Sequence, residues 1–473
     1  MFLTRRLPQV LPAETTSHAY GGVELKGRSL PHLLEIHAAA NADKPFVQCW
    51  DEGLKEEISF TQMLSRVEGA ATALQKGFAV GRGVKCAILS HNSPAYITLS
   101  LAIMRCRGTS VNLNWRSPAV QLASLVERVK PKVLFASAAF RDQAQQICDA
   151  NPDLQLSFVE DIDSHALGAV AARMNASPRR TAAPCETKPD DVAAIFFTSG
   201  STSLPKAVPH THASLMWLAH RYSEAFPAPY QTTDPNAGTL CFFPYFHVMG
   251  FSCDMCLSLY AGIRCLMHAD AANAQLSPDL MMRACAQLRP TVIHSTPWMI
   301  EGFCEALEGG LTLPGCFDSL HFVIYGGAAL KPHCSKILEK HGIKGMCGYG
   351  QTETCGATCY GKLGGNPNAI TPLPGVTFSL TGEGELIMHG LFCATSGYVA
   401  GTAPNARRLT RAASTREDYR TGDLFEVADI DQAPVGKWLL YSAREDDILV
   451  HSTGEMTNPL QVELQVGADC KSF

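Results

Sequence analysis

Apolar positions along this chain follow two alternating patterns. At Gln62–Lys76 they recur every three or four residues, which predicts an amphipathic helix, and helical periodicity returns at Ala95–Arg105, His212–Ala225, Pro278–Leu288 and His333–Lys340. Between these segments lie short apolar or β-branched runs that predict strands: Lys85–Ser90, Lys132–Ala136, Ala193–Phe197, Thr239–Phe243, Thr291–His294 and His321–Tyr325. Such alternation predicts an α/β fold of parallel sheets covered by helices. From about Thr371 the texture changes to short strands punctuated by glycine and proline, such as Gly384–Met388, which predicts a smaller β-rich subdomain. Ala403–Glu417 carries Arg407, Arg408, Arg411 and Arg416 and reads as a solvated loop.

Composition narrows the class. The chain has 473 residues, 46% hydrophobic and 18% charged, with a formal net charge of −5. That length buries a large core and implies more than one domain or subdomain. Mild acidity argues against nucleic acid or anionic membrane as the main partner, since either favours a basic face. The opening MFLTRRLPQVLPAE lacks the apolar centre of a secretory leader, although Arg5 and Arg6 without an early acid leave a mitochondrial leader as a minor alternative. Tyr96–Cys106 is too short to span a bilayer, so no transmembrane segment is expected. The 18 cysteines are scattered and are expected to be reduced thiols in the cytoplasm. Cys253 with Cys256, and Cys355 with Cys359, lack a second pair at zinc-site spacing and read as buried or helix-face thiols, with no structural metal.

The candidate chemistry begins at Thr198–Ala207, TSGSTSLPKA, directly after one predicted strand. Small hydroxyl residues, a glycine and one lysine in such a loop suit a polyphosphate, because backbone N–H groups, hydroxyls and one positive charge converge on its oxygens. It is not the P-loop of nucleotide hydrolases, since no glycine precedes Lys206 and Ala207 follows it. Downstream come GYGQTE at Gly348–Glu353, YRTGD at Tyr419–Asp423 and AREDD at Ala443–Asp447.

Together these motifs resemble the acyl-adenylate-forming (AMP-binding) superfamily: acyl- and aryl-CoA synthetases, adenylation domains of peptide synthetases and of carboxylate reductases, and firefly-type luciferases. The family loop T-S-G-S-T-G-x-P-K-G is matched at seven of its nine defined positions, with Ser203 and Ala207 replacing glycines. Y-G-x-T-E and Y-x-T-G-D match fully, and G-R-x-x-D is met at Arg444 and Asp447 with Ala443 in place of glycine. The resemblance extends from about Ser29 to Glu463, through NADKPFVQCWDE at Asn41–Glu52, SHNS at Ser90–Ser93, GELI at Gly384–Ile387 and Gly397-Tyr398. It implies a large N-terminal domain, residues 1–445, of two α/β subdomains plus a β-barrel-like subdomain. Residues 446–473 would be the remnant of a C-terminal lid domain that is mostly missing.

The same resemblance implies activation of a carboxylic acid by ATP and Mg²⁺. Thr198, Ser199, Gly200, Ser201, Thr202 and Lys206 would hold the β- and γ-phosphates. The replaced glycines narrow the loop's backbone freedom and point to a slower or weaker ATP site. Tyr349 in its Gly350-containing motif would stack on adenine, Thr352 would donate to the α-phosphate, and Glu353 would hold the metal. Asp423 would accept from the ribose hydroxyls, with Arg444 beside the same ribose and phosphate, and Gly327 and Ala328 near the nucleotide. FPYFHVMGF at Phe243–Phe251 resembles the element that gates the acid pocket, expected to be lined by His247, Met249, Phe251, Thr296, Trp298 and Gly326. Trp298 reads equally well as a core residue. Amino-acid-activating domains place an aspartate near His247; here Asp254 is the sole nearby acid, so an amine-free fatty or aryl acid is expected. The acceptor thiol would be CoA or a phosphopantetheine on a carrier protein. The family's hinge residue falls at Asp446, and the lid lysine of a P-x-G-K context has no counterpart after it. Two other readings stay open: a nucleotide- or acyl-binding protein impaired in catalysis, and a fragment of a larger carboxylate reductase or peptide-synthetase-like enzyme.

Overall fold

The computed structural model describes residues 17–50, 55–162, 185–198, 205–268, 277–311, 315, 317–362, 366–395, 397–399, 418–428, 438–444, 449–450 and 456–457. The predicted elements form with their ends shifted by at most two residues. The first predicted helix spans Phe60–Phe78, His212–Ala225 and Pro278–Leu288 fall as expected, and the strand before the phosphate-type loop is Val192–Phe197. Local chemistry fixes several starts. Ser59 and Gln62 form a reciprocal capping box, and Ser93, Thr211, Ser277 and Thr296 each cap a helix by accepting a backbone N–H.

Two sheets organise the chain. One has six strands in the order Ala207–Thr211, Val192–Phe197, Thr109–Asn112, Lys85–Leu89, Val133–Ala136, Gln155–Phe158, parallel except for the first pair. The other has thirteen strands, of which Pro45–Trp50, Arg264–His268, Gly238–Cys241, Val292–Ser295, Phe322–Gly326 and Gly345–Gln351 run parallel side by side. Alternating residues explain the layering. Cys86 and Ile88 of the first sheet and Val292, Phe322 and Ile324 of the second share one inner core, filled by the helices Leu30–Ala40, Phe60–Phe78, Pro94–Arg105 and His212–Ala225. Ala87 and Leu89 face outward under Ala119–Val129 and Arg141–Asp149, and Ile293 and Val323 face outward under Pro278–Leu288, Pro297–Glu308 and Pro332–Lys340. The result is five layers, helix and sheet in alternation.

The β-rich segment is hydrogen-bonded onto the second sheet. Beyond Gly345–Gln351 come Gly356–Gly361, Ala369–Pro372, Trp438–Arg444, Tyr419–Ala428, Glu385–His389 and Thr377–Leu380, all antiparallel. Four steps of about 4.8 Å would put Tyr419–Ala428 some 19 Å from Gly345–Gln351 in a flat sheet. Instead the Tyr349 hydroxyl donates to Asp423 Oδ2 at 2.6 Å, so the strands curl over in a barrel-like manner. Gly350 permits the sharp start of that curl: a Cβ there would lie 1.8 Å from the Gly356 carbonyl oxygen. No helix among the described residues is long and apolar enough to cross a membrane.

The inner layers bury histidines in neutral form. Burial pushes His37 and His210 down to about 4 and His212 and His294 down to about 3. Unfolded, each would titrate near its ordinary value of 6.5, so between pH 6.5 and about 4 the unfolded chain binds protons that the folded one refuses. Stability is therefore lost as pH falls through that window. His210 alone accounts for roughly 3 kcal/mol. Buried Asp254, raised to about 7, and Asp423, also raised by burial, act oppositely, losing stability as pH rises from about 4, but they are two groups against these four. Denaturant titrations at pH 7, 5.5 and 4 should show a steadily falling midpoint; a flat profile would contradict these environments.

Candidate active site

The C-terminal ends of the parallel strands Val192–Phe197 and Gly345–Gln351 carry the first two motifs, while YRTGD and Arg444 lie on the antiparallel strands Tyr419–Ala428 and Trp438–Arg444. The phosphate-type loop leaves Val192–Phe197 and returns on Ala207–Thr211. Its neck is closed by Thr198 N–H donating to the Lys206 carbonyl at 3.0 Å and Lys206 N–H donating to Thr198 Oγ1 at 3.1 Å. Asp191, just before the first of these strands, is gripped by Arg107 through two bonds of 2.8 and 3.0 Å. Ser199, Gly200, Ser201 and Thr202 lie outside the described residues.

Lys206 does not stand alone. Its ammonium sits 5.4 Å from the centre of the Tyr398 ring, and the Tyr398 hydroxyl donates to Glu353 Oε1 at 2.7 Å. Burial and the adjacent Glu353 carboxylate raise the Tyr398 pKa, so the phenol stays a donor. Backbone bonds hold this bridge in place: Val399 N–H donates to the Ala207 carbonyl at 2.9 Å, and Thr395 N–H to the Glu353 carbonyl at 2.7 Å. Beneath the turn Thr352–Thr354, His210 Nε2 lies 2.7 Å from the Thr352 carbonyl oxygen. A carbonyl only accepts, so Nε2 carries the proton; Nδ1 lies 3.0 Å from the Cys355 sulfur, whose thiol also reaches the Cys393 carbonyl at 3.1 Å. The Y-G-x-T-E turn is thus tied to the strand that closes the phosphate-type loop.

A second group forms around Asp423. Tyr349 and Gln351 both donate to its Oδ2, at 2.6 and 2.8 Å, and Arg444 Nε stands 3.9 Å from Oδ1. Asp423 and Arg444 are direct cross-strand partners, which explains why two motifs separated in sequence arrive together. Burial raises the Asp423 pKa against the pull of its two donors and Arg444, while Arg444 itself is half exposed. The Tyr349 ring stands edge-on to Phe425 at 5.0 Å. Asp446 and Asp447 lie outside the described residues.

The residues assigned to the acid side separate. His247 caps the helical run that begins at Val248, accepting Met249 N–H at 3.2 Å, and stacks on Phe243; burial and nearby Arg116 lower its pKa. Asn92 staples this loop, donating to the Phe243 carbonyl at 2.9 Å and accepting Tyr245 N–H at 2.7 Å. Met249 is half-buried, packing its sulfur by Cys253 and Gly356. Phe251 is fully buried, edge-on to Phe196, at the start of the π-helical segment Phe251–Cys256. Trp298 goes the other way. It is 68% exposed in the first turn of Pro297–Glu308, so its core alternative does not hold, while Thr296 caps that helix. Gly326 is buried where a Cβ would meet the Gly348 carbonyl oxygen at 2.4 Å, and Gly327 and Ala328 are exposed just beyond it. Asp254 is fully buried, accepting from Thr239, Tyr245 and Cys265. Among the described residues, no group of three or more His, Cys, Asp or Glu has the arrangement of a metal site.

A family model described as AMP-binding enzyme matches residues 34–398. The chain belongs to the AMP-binding enzyme family. A naringenin synthase of Pestalotiopsis fici is 25% identical over 462 residues, covering 92% of this chain but 16% of that protein. The 2-succinylbenzoate–CoA ligase of Escherichia coli is 25% identical over 416 residues, covering 87% of this chain and 77% of its own. The unliganded O-succinylbenzoate coenzyme A synthetase of Bacillus subtilis shares the fold, with a TM-score of 0.72 at 18% identity over 94% of this chain and 88% of that one. The chain thus spans about one sixth of the first of these relatives and over three quarters of the second. The family match ends at Tyr398, so Asp423 and Arg444 join the site by geometry. Tyr398, Gln351, His210 and Asn92 were not assigned contact roles from the sequence; the motifs containing or flanking them were the available signal.

The Asp423 cluster makes a measurable claim. Tyr349→Phe should destabilise the fold by about 1–3 kcal/mol, since it takes a donor from a buried carboxylate. In an Asp423→Asn background the same change should cost less, giving a coupling of about 1 kcal/mol or more in a denaturation double-mutant cycle. Additive losses would mean the 2.6 Å contact carries no energy.

Proposed function

We propose that this chain activates a carboxylic acid with ATP and passes the acyl group to a thiol. A carboxylate oxygen attacks the α-phosphorus, the bond to pyrophosphate breaks, and an acyl adenylate forms. The thiolate then attacks the acyl carbon and AMP leaves. Both reactants of the first step are anions, so the site must screen charge and hold them in line. The observation that carries this reading is the chain Lys206–Tyr398–Glu353, which sets a cation and a carboxylate on either side of one phenol at the mouth of the phosphate-type loop.

The residues fit magnesium through their donor set. Glu353 has one oxygen engaged by Tyr398, leaving the other for a cation that takes its remaining ligands from phosphates and water. Mg²⁺ supplies charge neutralisation on the phosphates when bound. Lys206 and the Thr198 neck hold the β- and γ-phosphates, with Ser199 to Thr202 between them, Thr352 faces the α-phosphate, and Asp423 with Tyr349 and Arg444 takes the ribose and base side. The acid is amine-free, fatty or aryl: Asp254, the sole acid of the 240–254 stretch, is sequestered by three donors and cannot pair with an ammonium. The relatives named as CoA ligases support coenzyme A as the acceptor, and a carrier-bound phosphopantetheine presents the same thiol. We assign 446–473 to the start of the lid domain, hinged at Asp446. The sixteen free cysteines among the described residues suit the reducing cytoplasm.

Hydroxylamine trapping of the activated acid, with ATP-pyrophosphate exchange over a panel of amine-free acids and amino acids, tests the reading. Amine-free acids should give hydroxamate, and Lys206→Ala should cut turnover by about two to three orders of magnitude. No exchange with any acid, or preference for an amino acid over every amine-free acid, would overturn it. Tyr398→Phe keeps the ring beside Lys206 but frees Glu353. It should weaken the magnesium dependence of ATP binding by about 10–100-fold, read as thermal stabilisation across a magnesium titration, with metal-free ATP binding little changed.

A further inference from the structure

His294 lies on the inner face of the long sheet. It follows Val292 by two residues, and Val292 packs in the inner core, so His294 points the same way. Its cross-strand partners are Cys241 and Ile324. On the neighbouring strand Thr239 shares the face of Cys241 and bonds Asp254 and Ser258, so the helical run from Val248 to Ala261 packs on the strand beside His294. That run also carries Met249. Two residues beyond His294 and Ile324 on this face come Thr296 and Gly326, so His294 lies below residues already assigned to the acid.

The imidazole is fully buried, yet neither of its nitrogens has a hydrogen-bond partner among the described residues. The Tyr230 hydroxyl is likewise buried without a partner among them, and Tyr230 lies within electrostatic reach of Cys241, Cys253 and Asp254, around the same strand end and helix. Buried polar groups are nearly always paired, and leaving them unpaired is costly. Two orphaned side chains near one strand end, under the residues assigned to the acid, mark a place for a polar group that the described residues do not supply.

We propose that His294 is a specificity-determining residue of the acid pocket, and that the preferred acid carries a hydroxyl remote from its carboxylate. This rests on the acid-activating reading above. A neutral imidazole offers one N–H and one lone pair, and a hydroxyl offers the reciprocal acceptor and donor. A second carboxylate would call for a charged ring, which burial disfavours. An unsubstituted hydrocarbon tail would leave both nitrogens unpaired, and a site built to bond a hydroxyl discriminates strongly against an analogue lacking it.

The test pairs phenylacetate with its 3- and 4-hydroxy derivatives, and 3-phenylpropionate with its own, in pyrophosphate exchange with the full chain. At least one hydroxylated acid should exceed its parent tenfold or more in kcat/KM. His294→Leu should lower that ratio at least tenfold, His294→Gln should restore part of it, and the Leu variant should melt no lower than wild type. Wild-type preference for every bare acid, or a ratio that His294→Leu leaves unmoved, would overturn the proposal while leaving acid activation standing. Exchange with neither member of any pair, nor with any other acid of the earlier panel, would remove the activation reading and this inference with it.

Discussion

The curl of the long sheet, fixed where Tyr349 and Gln351 reach Asp423, is the constraint on which the rest of the site depends. Three strands intervene between the partners, yet their side chains meet at 2.6 and 2.8 Å. A carboxylate is disfavoured by burial unless donors and charge meet it, and here two donors and Arg444 do so. The interaction therefore joins sheet curvature to site assembly: if the antiparallel strands lay flat, Asp423 and Arg444 would be far from the Y-G-x-T-E turn. Gly350 makes the same point sterically, because its missing Cβ admits the Gly356 backbone at the first bend.

The segment around Tyr398 has a comparable role on the other side of the site. It is not a regular strand, but backbone bonds attach it to both Ala207 and Glu353. Its phenol then spans a cation and a carboxylate that would otherwise be set apart by loop geometry alone. His210, held neutral by its surroundings, adds a third tie from below by donating to the Thr352 carbonyl. Three separate stretches of chain are thus positioned by short polar contacts in a partly buried setting, where such contacts lose less to water than they would on an open surface.

The acid side is organised by different means. Phe251 opens a π-helical segment and packs in the core, Met249 and His247 lie nearer the surface, and Asn92 ties the preceding loop to the first sheet. Asp254 accepts from the Thr239 hydroxyl, the Tyr245 phenol and the Cys265 thiol, which ties the helical run to the sheet, while burial raises its pKa against the pull of those donors.

By itself, the sequence determined the α/β class, the alternation of elements and the motifs that bear the chemistry. These are local properties: periodicity decides which face of a helix or strand is buried, and the caps and glycines that end elements act over a few residues. His212–Ala225 and Pro278–Leu288 were legible to the residue for that reason. The tertiary structure alone decided that the β-rich strands continue the second sheet, that Asp423 pairs with Tyr349, that Phe251 is buried while Trp298 is exposed, and that Tyr398 bridges Lys206 to Glu353. Each of these depends on residues far apart in the chain, and on whether a side chain meets a neighbour or water, which no periodicity within a single segment encodes.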